Sequence, residues 1–248
     1  MDLAQLSAAF AIGLVATALF VATGGVGLIT TPSLIFLGLA PQVAIATDLF
    51  AMLGGRLGGL LGFRRAGQLD LALALRLSLI AAAGAVLGAQ LLLRIDETLV
   101  RRALGVVLVV LLAFLLLRPG AGTHESDPPP SHRATAHVLF FFVGLWGTLV
   151  GAGFISLGSA VLLVLLRRTF LESAALLTLI GLAIGGVGLM VFGVSGIIDW
   201  PVGLALLVGK ALGGYLGSLA ATRVGNRAVR WAFIAVVLAS ALALHLGA

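Results

Sequence analysis

The chain has 248 residues, 61% of them apolar and only 10% charged, with a formal net charge of +6, 34 glycines and no cysteine. So few charges cannot cover a globular surface, which excludes an ordinary soluble domain, and the absence of thiols excludes disulfides, thiolate metal centres and cysteine nucleophiles. The positive charge does not point to nucleic acid, because the arginines sit in clusters between apolar blocks.

A bilayer core about 30 Å thick needs about 20 apolar residues per helix. Blocks of that kind are predicted at roughly 3–39, 43–63, 71–93, 99–117, 136–166, 172–194, 201–221 and 231–247. The fold class is therefore all-α integral membrane, with about eight transmembrane segments. The first helix is expected to be retained, since Met1-Asp2-Leu3 lacks a positive leader and the apolar run continues past Ala16-Thr17-Ala18.

The first block, 3–39, is too long for one span and is broken by Gly24-Gly25-Val26-Gly27, with Pro32 shortly after. Irregular backbone at membrane depth is tolerated only against protein or a water-filled cavity. The helix that restarts after such a break presents free N–H groups and a positive dipole end, which suit an anion. The fifth block, 136–166, repeats the pattern with Gly151-Ala152-Gly153. Between the halves, residues 118–135 contain Pro128-Pro129-Pro130 and read as a polar, disordered linker. The expected organisation is thus a first four-segment repeat at 1–117, the linker, and a second four-segment repeat at 136–248.

One offset of 129 pairs Gly67 with Gly196, Asp70 with Asp199, Gly88 with Gly217, Arg94 with Arg223 and Arg101 with Arg230. Duplicated membrane proteins are commonly transporters with a site near the midplane, where the repeats meet. The first segment of each half is then glycine-broken or re-entrant.

Gly24-Gly25-Val26-Gly27, Thr31-Pro32-Ser33-Leu34, Leu37-Gly38-Leu39-Ala40-Pro41 and Val43-Ala44-Ile45-Ala46-Thr47 carry a family resemblance. Gly151-Ala152-Gly153-Phe154, Glu172-Ser173-Ala174 and Leu216-Gly217-Ser218-Leu219-Ala220 echo it in the second half. With these motifs the chain resembles the sulfite exporter TauE/SafE family of anion permeases. The resemblance implies an eight-helix, twice-repeated permease for sulfite, sulfonates or related organosulfur anions, usually moved outward. It implies no cofactor, and a place in the bacterial inner membrane.

Arginine counts in the connections bear on orientation. If each broken block crosses once, Arg94, Arg101, Arg102, Arg167, Arg168, Arg223, Arg227 and Arg230 share a side against Arg64, Arg65, Arg118 and Arg133. If each is a hairpin, only Arg94, Arg101 and Arg102 stand apart, the bias is cleaner, and the second half is inverted. Both versions put the two termini outside.

Charges inside the blocks cost at least about 2.5 kcal/mol each near the bilayer centre and should face a cavity or a partner. Lys210, the only lysine, lies about nine residues from either end of its block, too deep to snorkel. It is read as positive charge on an anion pathway, as a structural partner of Asp48, or as the sign of a misplaced span. Asp48 and Arg56 share the second block but stand eight residues apart, about 12 Å along a helix, so they are not expected to pair. Arg56 is a candidate anion ligand or a snorkelling charge, and Asp48 a candidate proton-coupling carboxylate. Asp70, Asp199 and Glu172 fall at block edges and read as caps or interfacial charges. The candidate substrate-binding set is Gly24, Gly25, Gly27, Pro32, Thr47, Asp48, Arg56, Gly151, Gly153 and Lys210. Gly54 with Gly58, Gly84 with Gly88, and Gly209, Gly213 and Gly217 form small-xxx-small ridges assigned to helix packing.

Two other classes compete. Gly193-Val194-Ser195-Gly196 with His245 could supply the serine–histidine dyad of an intramembrane protease, but Ser195 falls in a connection and its repeat counterpart is Ala66. A membrane assembly or accessory factor could use the bundle as scaffold, and charges buried in the spans argue against it. No metal motif and no nucleic-acid surface is read. The expected partners are a small anion and lipid, with a homo-oligomer left open.

Overall fold

The computed structural model describes residues 3–24, 26–92, 130–149, 154–193, 196 and 198–246. Eight helices are seen among them: α1 (Leu3–Phe20), α2 (Val26–Phe36), α3 (Pro41–Arg65), α4 (Leu71–Leu92), α5 (Pro130–Leu149), α6 (Phe154–Val164), α7 (Phe170–Gly193) and α8 (Trp200–Leu246). The described residues contain no strand. The predicted block at 99–117 and the linker up to Pro129 lie outside them. Within the linker's expected span the last residues, from Pro130, already belong to α5, since proline is tolerated in the first helical turn.

The helix starts follow from local chemistry. Proline opens α3. Asp70 caps α4 by accepting from the Leu73 N–H at 3.0 Å, and Asp199 caps α8 by accepting from the Val202 N–H at 3.1 Å. A capping box opens α7: Glu172 Oε2 accepts the Thr169 N–H at 2.8 Å, while Thr169 Oγ1 accepts the Glu172 N–H at 3.2 Å. Gly225, at φ 81° and ψ 172°, is non-helical and divides α8 into two helices, between the two predicted blocks at 201–221 and 231–247.

Segments Leu3–Phe20, Leu71–Gly88, Phe170–Met190 and Trp200–Ala235 are long and apolar enough to cross a membrane. With α3 of 25 residues alongside them, and exposed Leu57, Leu61, Leu79, Leu204, Leu212 and Leu216 on outer faces, the chain is an all-α, multi-pass membrane bundle. The helices α2 and α6 have 11 residues each, about 16 Å of rise, and cannot span.

The first break turns the chain back. Gln5 Nε2, near the start of α1, donates to the Leu37 carbonyl just past the end of α2 at 3.3 Å, and Ala9, Leu34, Ala44 and Val202 share one apolar cluster. The chain therefore returns to the end of the bundle where α1 began, and α3 and α8 start there too. At the other end Phe63, Phe170, Val229 and Phe233 cluster, Arg168 pairs with Asp70 at 3.1 Å, and Asn226 Oδ1 accepts the Leu171 N–H at 2.9 Å. Arg64, Arg65, Arg167, Arg168 and Arg227 are thereby gathered at one end, as the hairpin reading requires and the single-crossing reading does not.

Contacts recur between the halves. In α8, Gly213 and Gly217 lie against the carbonyls of Leu14 and Ala18 in α1; in α4, Gly84 and Gly88 lie against those of Phe141 and Leu145 in α5. Both pairs of helices run parallel. Left-handed residues recur likewise, Gly67 (φ 72°) with Gly196 (φ 70°) and Gly38 (φ 100°) with Arg167 (φ 51°), each pair 129 positions apart. Because α4 and α5 are parallel, Leu92 at the end of α4 and Pro130 at the start of α5 lie at opposite ends of the bundle.

Candidate functional site

A cavity of about 40 Å³ lies where α1, α2, α3, α6, α7 and α8 meet. Its wall includes Val26, the first residue of α2, and Ile155, the second residue of α6. Gly24, at φ 85°, permits this approach: a Cβ there would stand 2.7 Å from that of Ile155. The N-terminal ends of both half-helices, where the helix dipoles are positive, therefore converge on one space.

Two cations join them. Lys210 is completely buried and donates to Asp48 Oδ1 at 2.7 Å and to Thr30 Oγ1 at 3.3 Å. Asp48 Oδ2 accepts from Thr31 Oγ1 at 3.2 Å, while Thr30 Oγ1 itself donates to the Val26 carbonyl at 3.1 Å. The carboxylate is thus held by one ion pair and one hydroxyl. Arg56 turns inward and does not snorkel. Its Nη1 donates to the Leu177 carbonyl at 3.2 Å, and its guanidinium carbon lies 4.9 Å from the centroid of the Phe154 ring, a cation–π contact with α6. Both Arg56 and Lys210 line the cavity, as does Thr17, whose buried Oγ1 has no hydrogen-bond partner. Asp48 neutralises one of the two cations, so the cluster carries one net positive charge. A buried hydroxyl without a partner is costly, and here it faces cationic walls.

The sequence candidates divide accordingly. Asp48, Arg56, Lys210 and Gly24 come together, and Gly27 stands beside them, with 3.9 Å between Asp48 Oδ2 and the place its Cβ would occupy. Pro32 falls within α2, where it cannot donate to the Leu28 carbonyl. Thr47 turns elsewhere: its Oγ1 accepts the Asp199 N–H at 3.0 Å and ties α3 to the start of α8. Gly25, Gly151, Gly153 and Ser195 lie outside the described residues. Lys210 and Asp48 form the ion pair that is one of the readings of Lys210, and the Lys210 member of that pair lines the cavity. Thr17 and Thr30 escaped sequence reasoning, and Thr31 and Phe154 entered it only within the family motifs and not as candidate site residues. Threonines in apolar helices routinely bond their own backbone and carry no signal of their own.

The family described as sulfite exporter TauE/SafE matches residues 9–244. The chain is 29% identical to the probable membrane transporter protein ORF9 of a Sinorhizobium species, over 89% of this chain and 85% of the relative. It is 26% identical to a probable membrane transporter protein of Haemophilus influenzae, over 89% of this chain and 87% of the relative. It is 24% identical to the probable membrane transporter protein YfcA of Escherichia coli, over 84% and 77% respectively. No solved structure matches the chain.

Proposed function

The chain belongs to the sulfite exporter TauE/SafE family of membrane transporters, and on that premise we propose that it is a permease for a small anion, sulfite or a compact sulfonate, moved outward across a bacterial inner membrane. One observation carries this reading: two half-helix N-termini, Arg56, Lys210 and the unpartnered Thr17 hydroxyl face a single cavity with one net positive charge. Oriented N–H dipoles and cations around a cavity walled mainly by apolar side chains favour an anion more than they would in bulk solvent. The carboxylate of Asp48, already engaged by Lys210 and Thr31, is not free to receive an ammonium group, so sulfite and simple sulfonates are favoured over zwitterionic taurine.

The two halves are read as inverted repeats, and the recurring parallel contacts of α1 with α8 and of α4 with α5 support this. Inverted repeats provide two exchangeable arrangements around a fixed midplane site. The gathering of Arg64, Arg65, Arg168 and Arg227 at one end supports that end as cytoplasmic and both termini as external. A proton is the expected coupling partner.

The test is transport by the purified protein in lipid vesicles. Radiolabelled sulfite and sulfoacetate are expected to equilibrate at least tenfold faster than through protein-free vesicles, and taurine more slowly than either. Equal rates with and without protein would count against a permease and leave the scaffold reading standing.

A further inference from the structure

We propose that Asp48 carries the coupling proton by an exchange of partners: the entering anion takes Lys210 from Asp48, and Asp48 takes up one proton from water in its place. The inference rests on the permease reading above and adds to it the site and the stoichiometry of coupling.

Geometry supplies the exchange. The Lys210 ammonium has three N–H donors, of which Asp48 and Thr30 use two, and the side chain forms part of the cavity wall. An anion entering beside Arg56 therefore reaches the same ammonium that neutralises Asp48. An ionised carboxylate stripped of its counter-charge at membrane depth is costly, and protonation removes the cost. With Asp48 ionised the cluster holds one net positive charge, and with Asp48 protonated it holds two, so a bound monoanion and a bound proton return it to the charge it started with. By linkage each ligand then favours the other. The carrier moves one proton with one monoanion in the same direction, with no net charge crossing, so outward movement requires an outward anion gradient larger than any opposing inward proton gradient.

The surroundings offer no rival proton site at this depth among the described residues. Helices α1 and α2, which pack on the cluster, hold no ionisable side chain. On α7, Glu172 is bound to Thr169 and Arg168 at the arginine-rich end. On α8, Asp199 caps the helix start and Tyr215 accepts from Arg65. On α3 itself, besides Asp48 and Arg56, only the terminal Arg64 and Arg65 are charged.

A moving part is also present. Thr30 and Thr31, which clip the pair, both belong to α2, and α2 is bounded by Gly24 at φ 85° and Gly38 at φ 100°. A rod with a left-handed glycine at each end can tilt as a unit and release both threonines together.

The experiment measures proton and anion fluxes together in vesicles holding the full chain and a trapped pH dye, with the voltage clamped by potassium and valinomycin. Methanesulfonate is the probe, because as a strong acid it carries no proton by itself; sulfite is run beside it to test the permease reading. The wild-type protein is expected to move one proton per methanesulfonate, to be insensitive to voltage, and to accumulate the anion about tenfold per unit of inward pH gradient. Methanesulfonate uptake without proton movement, or uptake driven by voltage, overturns the coupling and leaves the permease. Absence of uptake of both anions overturns both readings. In Asp48→Asn the proton-to-anion ratio of the remaining flux is expected to fall from one toward zero; a ratio that stays at one removes Asp48 as the carrier. Should that variant fail to fold, the wild-type stoichiometry still decides whether coupling occurs, and Thr31→Val, which keeps the pair but frees one oxygen, is expected to shift the pH dependence of uptake.

Discussion

The two 11-residue half-helices start at the same cavity and then behave differently. Helix α6 is locked: Phe154, Ser156, Gly158, Ser159, Val161, Leu162 and Leu163 are all buried, and Gly158 is pressed against Leu177. Helix α2 exposes Ile29, Ile35 and Phe36, touches the charged pair through two threonines, and is hinged by glycine at both ends. The charges follow the same division: at the offset of 129 the counterparts of Asp48, Arg56 and Lys210 are Leu177, Gly185 and Ala81, so the charged cluster stands beside α2 and has no charged counterpart beside α6. The contact of Arg56 with Phe154 and the Leu177 carbonyl is where the charged arm leans on the other.

The largest effect should come from removing one partner on the charged side. Lys210→Met leaves Asp48 buried and unpaired, which costs about 3–5 kcal/mol, and should abolish transport; thermal unfolding in detergent beside vesicle flux separates the two. The double variant Asp48→Asn/Lys210→Met should recover most of the stability and none of the transport. Recovered transport would show that the pair is only structural.

Next comes the contrast in packing. Gly158→Ala on α6 pushes a methyl into Leu177 and should cost about 1–3 kcal/mol. Gly27→Ala on α2, whose Cβ would have Met52 Cε as nearest neighbour at 3.5 Å, should change stability by less than about 0.5 kcal/mol. Equal losses in an unfolding series would erase the distinction between a locked arm and an open one.

Smaller still is the clip itself. Thr31→Val removes one hydrogen bond to Asp48, about 1 kcal/mol, and should slow methanesulfonate flux severalfold, with Thr31→Ser restoring it. The smallest effect concerns the turn before α7, where Arg167 adopts φ 51° at the position equivalent to Gly38. Arg167→Gly should relieve strain and stabilise by at most about 1 kcal/mol, seen as a small rise in Tm with unchanged transport.

Much of this was legible in the residues themselves. Glycine runs at 24–27 and 151–153 fall where α1 gives way to α2 and α5 to α6, and Lys210 announced itself as a charge with nowhere to snorkel. A structural pair with Asp48 was one of the alternatives that the sequence left open for it, and the ion pair is present. What stayed hidden depends on tertiary contact. A hairpin and a crossing have the same composition, and it took the bond of Gln5 to Leu37 to separate them. Thr17, Thr30 and Thr31 look like any threonines in an apolar helix, and the meeting of Arg56 with Phe154 joins residues 98 positions apart. The start of α5 at Pro130 was missed because a proline triplet reads as linker, although its last member can open a helix.

The central claim is that the cavity between the two half-helix ends is a site for anions, and the absence of native cysteines allows a direct test. In Thr17→Cys, whose side chain lies on the cavity wall, modification by an anionic methanethiosulfonate reagent is expected to outpace a cationic one of similar size by more than tenfold after correction for intrinsic reactivity, and to be slowed by methanesulfonate. A faster cationic reagent, or labelling indifferent to methanesulfonate, would contradict it.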